Sequence, residues 1–155
     1  MSIELKLKEG DKAPEFTAAT NGGGKVSLSD FKGKNVVLYF YPKDNTPGCN
    51  KEACGFRDNW ETIQKKGAVV LGVSTDSLKA HDKFVEKFKL PFTLLVDDEK
   101  KIVTAYGVYG PKTFMGVKYN GTSRVTFLIG PDGKIKKIWP KVKVGEHAEE
   151  VVKEL

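Results

Sequence analysis

Two runs of consecutive apolar residues mark the centre of the chain. They cover residues 36–41 (VVLYFY) and residues 69–73 (VVLGV). A half-exposed strand alternates apolar and polar residues, so these continuous, β-branched runs predict strands buried on both faces. Three shorter strands are predicted at residues 92–96, 125–129 and 135–139. Residues 130–133 (GPDG) lie between the last two and predict a hairpin turn.

Apolar residues at helical spacing occupy the segments between these strands. In residues 51–66 the spacing is typical of one helix, with Ala53, Phe56, Trp60 and Ile63 on the apolar face. Further helices are predicted at residues 77–89, 98–106 and 146–155. Asp76 or Ser77 can cap the first of these three, and Gly107 can end the second.

Residues 21–24 (NGGG) lie between short apolar segments, where Asn-Gly predicts a hairpin turn rather than a phosphate-binding loop. The order of elements is then hairpin, β, α, β, α, β, α, hairpin, α. Such alternation predicts an α/β fold. It suits a thioredoxin-like fold with an added N-terminal β-hairpin and helices on both faces of a mixed central sheet.

Composition and charge narrow the possible functions. The 155 residues are 39% hydrophobic and 30% charged, which predicts a single globular domain over residues 1–155. The formal net charge of +6 comes almost entirely from scattered lysines. Arg57 and Arg124 are the two arginines. Nucleic-acid recognition favours arginine, whose guanidinium makes two parallel hydrogen bonds to a phosphate or base. Scattered lysines with few arginines therefore indicate a solvated surface, and we expect no nucleic-acid partner.

We expect a cytoplasmic protein without a membrane partner. No apolar run approaches the roughly 18 residues that span a bilayer. Residues 2–10 (SIELKLKEG) lack the apolar core of a signal peptide and the Arg-rich character of a transit peptide. His81 and His147 fall in charge-rich helical segments, where we expect both on the solvated surface.

Cys49 follows a buried strand and a turn rich in Pro, Asp and Asn, at the start of the helix pattern. Helix N-termini carry unpaired N–H groups and a partial positive charge, which stabilise a thiolate and lower the thiol pKa. Thr46 can present a hydroxyl to the sulfur or to a bound oxygen. A reactive cysteine and a buried structural cysteine are both compatible with this position.

Cys54 is the second cysteine of the chain. In an intact helix it lies about 140° around the axis from Cys49, and the two Cα atoms are roughly 8–9 Å apart. A disulfide needs a separation below about 7 Å. The pair can therefore form a disulfide only if the helix unwinds. Neither a disulfide framework nor a zinc pattern is compatible with the cysteines and histidines present.

The run YPKDNTPGCNKEACGFRD at residues 41–58, with its Pro-x-x-x-Thr-x-x-Cys pattern, resembles the peroxiredoxins. The similarity is to the peroxiredoxin Q subfamily, also called bacterioferritin comigratory protein, and it covers nearly the whole chain. Other matching segments are residues 10–16 (GDKAPEF), 28–33 (LSDFKG) and 122–127 (TSRVTF). Asn50 departs from the threonine usual in the subfamily, a change that removes no catalytic group.

The resemblance implies a role for each matching residue. Cys49 is expected to be the peroxidatic nucleophile. Thr46, the backbone of Gly48 and Cys49, and Arg124 are expected to bind the peroxide. Arg124 is also expected to stabilise the thiolate, and Pro42 to shield it from water.

The resemblance also implies the rest of the cycle. Cys49 would form a sulfenic acid, Cys54 would resolve it as an intramolecular disulfide, and thioredoxin or a similar dithiol would reduce that disulfide. Hydrogen peroxide and organic hydroperoxides are the expected substrates, and no cofactor or metal is expected. We expect a monomer, with a weak dimer as the alternative.

Two other functions fit the same fold. A disulfide oxidoreductase would use C-x-x-C, whereas this chain has four residues between its cysteines. A non-catalytic binding module would have a Cys49 thiol of ordinary reactivity.

Overall fold

A seven-stranded mixed sheet forms the centre of the structure. The computed structural model describes residues 5–155, so residues 2–4 of the opening segment lie outside the described part. The strands are β1 (Thr17–Thr20), β2 (Lys25–Ser27), β3 (Asn35–Phe40), β4 (Ala68–Ser74), β5 (Thr93–Val96), β6 (Tyr109–Phe114), β7 (Val117–Thr122), β8 (Val125–Ile129) and β9 (Ile135–Trp139). All five strand predictions are confirmed to within two residues.

The two most apolar strands lie in the middle of the sheet, as predicted. The strand order is β2-β1-β5-β4-β3-β8-β9. Strands β3, β4 and β5 are parallel, whereas β1 and β8 pair antiparallel with their neighbours β5 and β3. The predicted hairpins β1–β2 and β8–β9 are both present. Antiparallel strands beside a parallel centre confirm the mixed sheet.

Helices cover both faces of this sheet. They are α1 (Pro47–Asp58), α2 (Trp60–Lys65), α3 (Leu78–Phe88), α4 (Lys101–Ala105) and α5 (His147–Lys153). Alternate residues of β3 enter two different cores. Val36, Leu38 and Phe40 pack on the side of α4. Val37, Tyr39 and Tyr41 pack on the side of α1, α2, α3 and α5. The expected arrangement of helices on both faces is confirmed.

The helix predicted at residues 51–66 is two helices that meet at Asn59. Helix α1 begins earlier than predicted because Pro47 is suited to a first turn and Thr46 has the extended backbone of an N-cap. It ends where the Asn59 side chain donates to the Gly55 carbonyl over 2.9 Å. The Asn59 amide also donates to Gly55, and α2 starts directly afterwards.

The hairpin β6–β7 was not predicted. These strands form a separate two-stranded sheet with a turn at Met115 and Gly116. Both turn residues have positive φ, 51° and 79°, as the turn of a tight hairpin requires. Because Met lacks the turn preference of Asn or Asp, the sequence gives little indication of this turn.

The surface prediction for both histidines is wrong, because both are fully buried. His81 lies on the inner face of α3 and bonds the Asp44 carboxylate and the Leu95 carbonyl. His147 is at the start of α5, packed edge-on against Phe56 and Trp139. The charged residues beside each histidine in sequence lie on the opposite face of its helix. They therefore give no indication that the histidine is buried.

Among residues 5–155, none of the helices has both the length and the apolar character that crossing a bilayer requires.

Candidate active site

Cys49 lies at the carboxyl end of β3, where the chain turns into α1. It is the third residue of α1, and its side chain is 1% exposed. The Asn50 amide donates to the Thr46 carbonyl over 2.7 Å and closes the first turn. The sulfur therefore lies within the first turn of a helix, where free N–H groups favour a negative charge.

Arg124 contacts Cys49 because of the register of β8. Val125 pairs with Phe40, so the residue before β8 lies beside the carboxyl end of β3. Its Nη2 donates to Cys49 Sγ over 3.2 Å. A guanidinium at this distance favours the thiolate over the thiol. The two residues are 75 positions apart in sequence.

Gly48 allows this close approach. A Cβ atom built on Gly48 would lie 3.2 Å from Arg124 Nη2. This distance is tighter than most real Cβ contacts, so any larger residue would displace the guanidinium. The glycine before Cys49 therefore leaves the room that the arginine occupies.

Glu52 is the second partner of Arg124 and was not predicted. Arg124 Nη1 donates to Glu52 Oε1 over 2.6 Å, and the Glu52 side chain is fully buried. Burial raises the pKa of Glu52 to about 7, against the opposing effect of the Arg124 charge. Glu52 lies three residues after Cys49 and therefore on the same face of α1. This spacing is the feature of the sequence that could have identified it as a site residue.

Further buried polar groups lie behind this pair. His147 Nε2 lies 2.7 Å from Thr126 Oγ1. Burial and then the positive charge of Arg124 lower the pKa of His147 to about 4. Burial also raises the pKa of Tyr39, and the charges of Glu52 and Cys49 add to this effect. Within the described residues, the Tyr39 hydroxyl has no hydrogen-bond partner.

The loop of residues 41–46 positions two other predicted site residues. The Thr46 hydroxyl donates to the Lys43 carbonyl over 3.0 Å and does not cap the helix amides. Its oxygen lone pairs therefore remain available to another donor. Pro42 is half-buried in the same loop, directly after Tyr41. Both residues are thus on the segment that leads into Cys49.

Cys54 lies on α1, apart from the polar cluster. Both cysteines are free thiols, and Cys54 is half-buried whereas Cys49 is buried. The next residue, Gly55, packs against α5, with its would-be Cβ at 3.4 Å from Ala148 Cβ. Since α1 is helical from residue 47 to 58, the two cysteines occupy different sides of an intact helix.

Lys112 contributes a second cation that the missed hairpin β6–β7 carries. Its Nζ donates to the Thr122 carbonyl over 3.0 Å. Burial and then the positive charge of Arg124 lower the pKa of Lys112, whereas Cys49 acts in the opposite direction. Three ionisable side chains from separate parts of the chain therefore lie near the cysteine: Glu52, Lys112 and Arg124.

Comparison with known proteins identifies the family. Residues 9–138 match the AhpC/TSA family model. The chain belongs to the AhpC/TSA family. Relatives of this AhpC/TSA protein include the putative peroxiredoxin bcp of Coxiella burnetii, 56% identical over 98% of each chain. The peroxiredoxin Bcp of Bacillus subtilis is 50% identical over 100% of this chain and 96% of the relative.

Solved structures give the same result for the fold. A mutant of PrxQ from Xylella fastidiosa is 39% identical, with a TM-score of 0.90 over 96% of this chain and 94% of that one. The bacterioferritin comigratory protein of Xanthomonas campestris is 35% identical, with a TM-score of 0.87 over 97% and 96%. The resemblance to the peroxiredoxin Q subfamily and the thioredoxin-like fold are therefore confirmed. Thiol peroxidase activity, with a hydroperoxide substrate and a thiol reductant, follows from this AhpC/TSA membership.

Proposed function

We propose that Cys49 is the peroxidatic cysteine of a two-cysteine cycle. The Cys49 thiolate attacks one oxygen of a hydroperoxide, and the O–O bond breaks. The sulfur becomes a sulfenic acid, and the other oxygen leaves with a proton as water or an alcohol. Organic hydroperoxides are included because alkyl peroxide reduction is described for the Xanthomonas campestris protein.

The observation that carries this proposal is the contact between Arg124 and Cys49. The guanidinium lies 3.2 Å from a sulfur that is itself in the first turn of α1. A thiol with an ordinary pKa near 8.5 is mostly protonated at neutral pH. A full positive charge and a helix N-terminus together favour the reactive thiolate, because both stabilise negative charge.

The residues around the sulfur have complementary proposed roles. Thr46 and the amides of Gly48 and Cys49 bind the peroxide oxygens, since hydroxyl and N–H groups match its acceptors and donor. Arg124 polarises the O–O bond as negative charge develops on the leaving oxygen. Pro42 shields the thiolate from water on the side of the loop.

Cys54 is the proposed resolving cysteine. Its thiol condenses with the Cys49 sulfenic acid, forming the S–S bond and releasing water. Helical geometry keeps the Cα atoms roughly 8–9 Å apart, beyond disulfide range, so α1 unwinds before this step. Because Cys54 is only half-buried, its own packing opposes this movement less than that of a fully buried side chain would.

A dithiol protein closes the proposed cycle. Thiol–disulfide exchange returns both cysteines to thiols and leaves the disulfide on the reductant, for which thioredoxin is our proposal. The cycle needs neither metal nor other cofactor. A single domain, cytoplasmic location and a monomer or weak dimer remain predictions, as does the absence of nucleic-acid and membrane partners.

The test is a single-turnover reaction of the reduced protein with one equivalent of hydrogen peroxide. Stopped-flow fluorescence of Trp60 and Trp139 follows the rate, and intact mass spectrometry identifies the product. We expect a fast change and the loss of two hydrogens. Recovery of both thiols on addition of reduced thioredoxin would support the proposed reductant.

Two variants assign the roles. Cys49→Ser should abolish the fast reaction, because no thiolate remains at the helix start. Cys54→Ser should stop at one added oxygen on Cys49. A wild-type protein that reacts no faster than a free thiol would refute the peroxidatic role, and a wild-type protein that gains one oxygen without losing two hydrogens would refute the resolving role.

A further inference from the structure

A buried network connects the active-site loop to the body of the fold. The Asp44 carboxylate is 7% exposed and lies in the loop between β3 and α1. The Tyr41 hydroxyl donates to its Oδ1 over 2.6 Å, and His81 Nδ1 lies 2.6 Å from its Oδ2. We call these three residues the Tyr41–Asp44–His81 network. The proposed peroxidase cycle uses none of them.

His81 is fixed on two rigid elements. Its side chain is fully buried on α3, and its Nε2 lies 2.8 Å from the Leu95 carbonyl in β5. A carbonyl only accepts hydrogen bonds, so Nε2 carries a proton. The short contact with Asp44 places a second proton between Nδ1 and the carboxylate. The natural description is an imidazolium that donates to both Asp44 and Leu95.

The same loop has further supports around the network. The Asp44 amide donates to Asp76 Oδ2 over 2.8 Å, and Lys87 Nζ donates to Asn45 Oδ1 over 3.1 Å. Asn45 has a φ of 56°, in the left-handed region that non-glycine residues seldom adopt. The contacts of Asp44 and of the Asn45 side chain help to hold this backbone conformation.

The position of Thr46 depends on this segment. Its hydroxyl donates to Lys43, the residue before Asp44, and its backbone is the N-cap of α1. A change at Asp44 therefore moves both the carbonyl that orients the Thr46 hydroxyl and the residue itself. Arg124, in contrast, directly precedes β8, which pairs with β3, and its contact with Cys49 does not involve the loop.

We propose that the Tyr41–Asp44–His81 network is a positioning device that keeps Thr46 in place for peroxide, and that its protonated His81 makes this positioning sensitive to alkaline pH. The inference rests on the proposed peroxidase cycle. It adds three positioning residues that do not touch the peroxide, and it predicts a pH effect separate from ionisation of Cys49.

The direction of the pH effect follows from the charges around His81. Burial lowers the pKa of His81, but the hydrogen bond and charge of Asp44, the hydrogen bond to Leu95 and the charge of Asp76 together raise it more. The resulting pKa is above its ordinary value. Stabilisation by the pair is therefore complete below about pH 6.5 and is lost as pH rises through the higher folded pKa. Other charged side chains near Asp44 are Lys43, Lys83 and Lys87, which line the adjacent groove.

The experiment compares two reactions of Cys49. Second-order rate constants are measured with hydrogen peroxide and with iodoacetamide from pH 6 to 10. Alkylation reports the thiolate and its contact with Arg124, whereas the peroxide reaction also needs the positioned loop. The ratio of the two rate constants therefore isolates positioning. In the wild type we expect this ratio to fall as the pH rises.

Three variants and one control test the network at pH 7. His81→Phe keeps an aromatic ring, though a larger one, and removes both hydrogen bonds, so we expect an about 10–100-fold lower peroxide rate, because misplaced reacting groups react slowly. Alkylation should stay within about threefold of wild type. Tyr41→Phe should lower the peroxide rate by about fivefold through the same loop. Tyr106→Phe removes another buried tyrosine hydrogen bond, to the Pro14 carbonyl, and should change neither rate.

Asp44→Asn separates geometry from charge. Its amide oxygen accepts from Tyr41, and its NH₂ group donates to the Nδ1 of a neutral His81, so the hydrogen bonds persist. We expect nearly wild-type peroxide rates at pH 7 and a ratio that no longer falls at alkaline pH. A merely structural role for Asp44 predicts no such loss of pH dependence.

Each outcome decides the inference. Unchanged peroxide rates in His81→Phe and Tyr41→Phe would overturn it, as would equal decreases in peroxide and alkylation rates. If His81→Phe does not fold, Tyr41→Phe decides it by the same criterion, and a ratio that still falls at alkaline pH in Asp44→Asn would overturn it. A wild-type protein without fast peroxide reaction refutes the proposed cycle itself, and with it this inference, and is recognised before any network variant is compared.

Discussion

Glu52 and His147 should give the stability of this protein two opposing pH dependences. The pKa of Glu52 is about 7 in the folded protein, against 4.5 ordinarily. Between these values the folded state keeps a proton that the unfolded state releases. Unfolding then becomes easier as pH rises from about 4.5 to 7, because the unfolded state binds fewer protons.

His147 acts in the opposite sense. Its folded pKa is about 4, against 6.5 ordinarily. Between these values His147 is protonated in the unfolded state but neutral in the folded state. Its contribution to stability is therefore present above about pH 6.5 and lost as pH falls toward 4.

The two effects have nearly the same size. For each residue the folded and ordinary pKa values differ by about 2.5, and one pKa unit corresponds to about 1.4 kcal/mol. Each group therefore changes the free energy of unfolding by about 3 kcal/mol across its window. Because the windows overlap and the signs oppose, their combined effect between pH 4.5 and 7 should nearly vanish.

Urea unfolding at several pH values tests this cancellation. A Cys49→Ser background removes the thiol, which is not among the causes of either shift. We compare the free energy of unfolding of each variant with that of the background at the same pH. From pH 4.5 to 7 this difference should rise by about 3 kcal/mol for Glu52→Gln and fall by about the same for His147→Gln. The double variant is the control and should show neither trend.

Parallel stability curves for the background and both single variants would refute the reasoning. A constant offset shows only that a contact was lost, because a pH-independent change involves no difference in proton binding. Opposite slopes of similar size are the required result, and two slopes of the same sign would contradict the assigned pKa directions.

Substitutions at three further positions have defined outcomes. Gly72→Ala places a Cβ 2.8 Å from Leu94 Cδ2 and 2.9 Å from the Tyr39 ring, and should lower the free energy of unfolding by about 1–3 kcal/mol in urea titrations. A loss below about 0.5 kcal/mol would contradict this. Tyr39→Phe removes a buried hydroxyl without a described partner and should leave stability equal or up to about 1 kcal/mol higher; a clear loss would reveal a partner. Arg124→Gln should slow Cys49 alkylation at pH 6.5 about tenfold, with Arg124→Lys intermediate, and an unchanged rate would show that the guanidinium does not stabilise the thiolate.

The sequence predicts the parts of the fold that depend on local pattern. Continuous apolar runs identified β3 and β4 because a parallel central strand is buried on both faces. The turn at Met115 and Gly116 was missed because the residue before the glycine is Met, whereas Asn or Asp is typical of a turn with positive φ. The break at Asn59 was missed because apolar spacing continues through it from Phe56 to Ile63.

The site divides in the same way. Cys49 and its helix start follow from local pattern, and the roles of Thr46 and Arg124 came from resemblance. The contact of Arg124 with Glu52 depends on the register of β8 against β3, which periodicity does not give. His81 had a usable signal, because it shares a helix face with Leu78, Phe84 and Phe88. A polar residue on an apolar face indicates a buried partner.

The division at Asn59 limits how far opening of the active-site helix can spread. Helix α2 has its own first turn, since the Ile63 amide bonds the Asn59 carbonyl over 3.0 Å. Ile63 is fully buried in the core behind β4. The segment that must open for the two sulfurs to meet can therefore behave as a separate cooperative unit of twelve residues. Amide protons of α2 should then keep their exchange protection while those of α1 lose it, so water would reach the core positions of Ala53 and Phe56 but not that of Ile63.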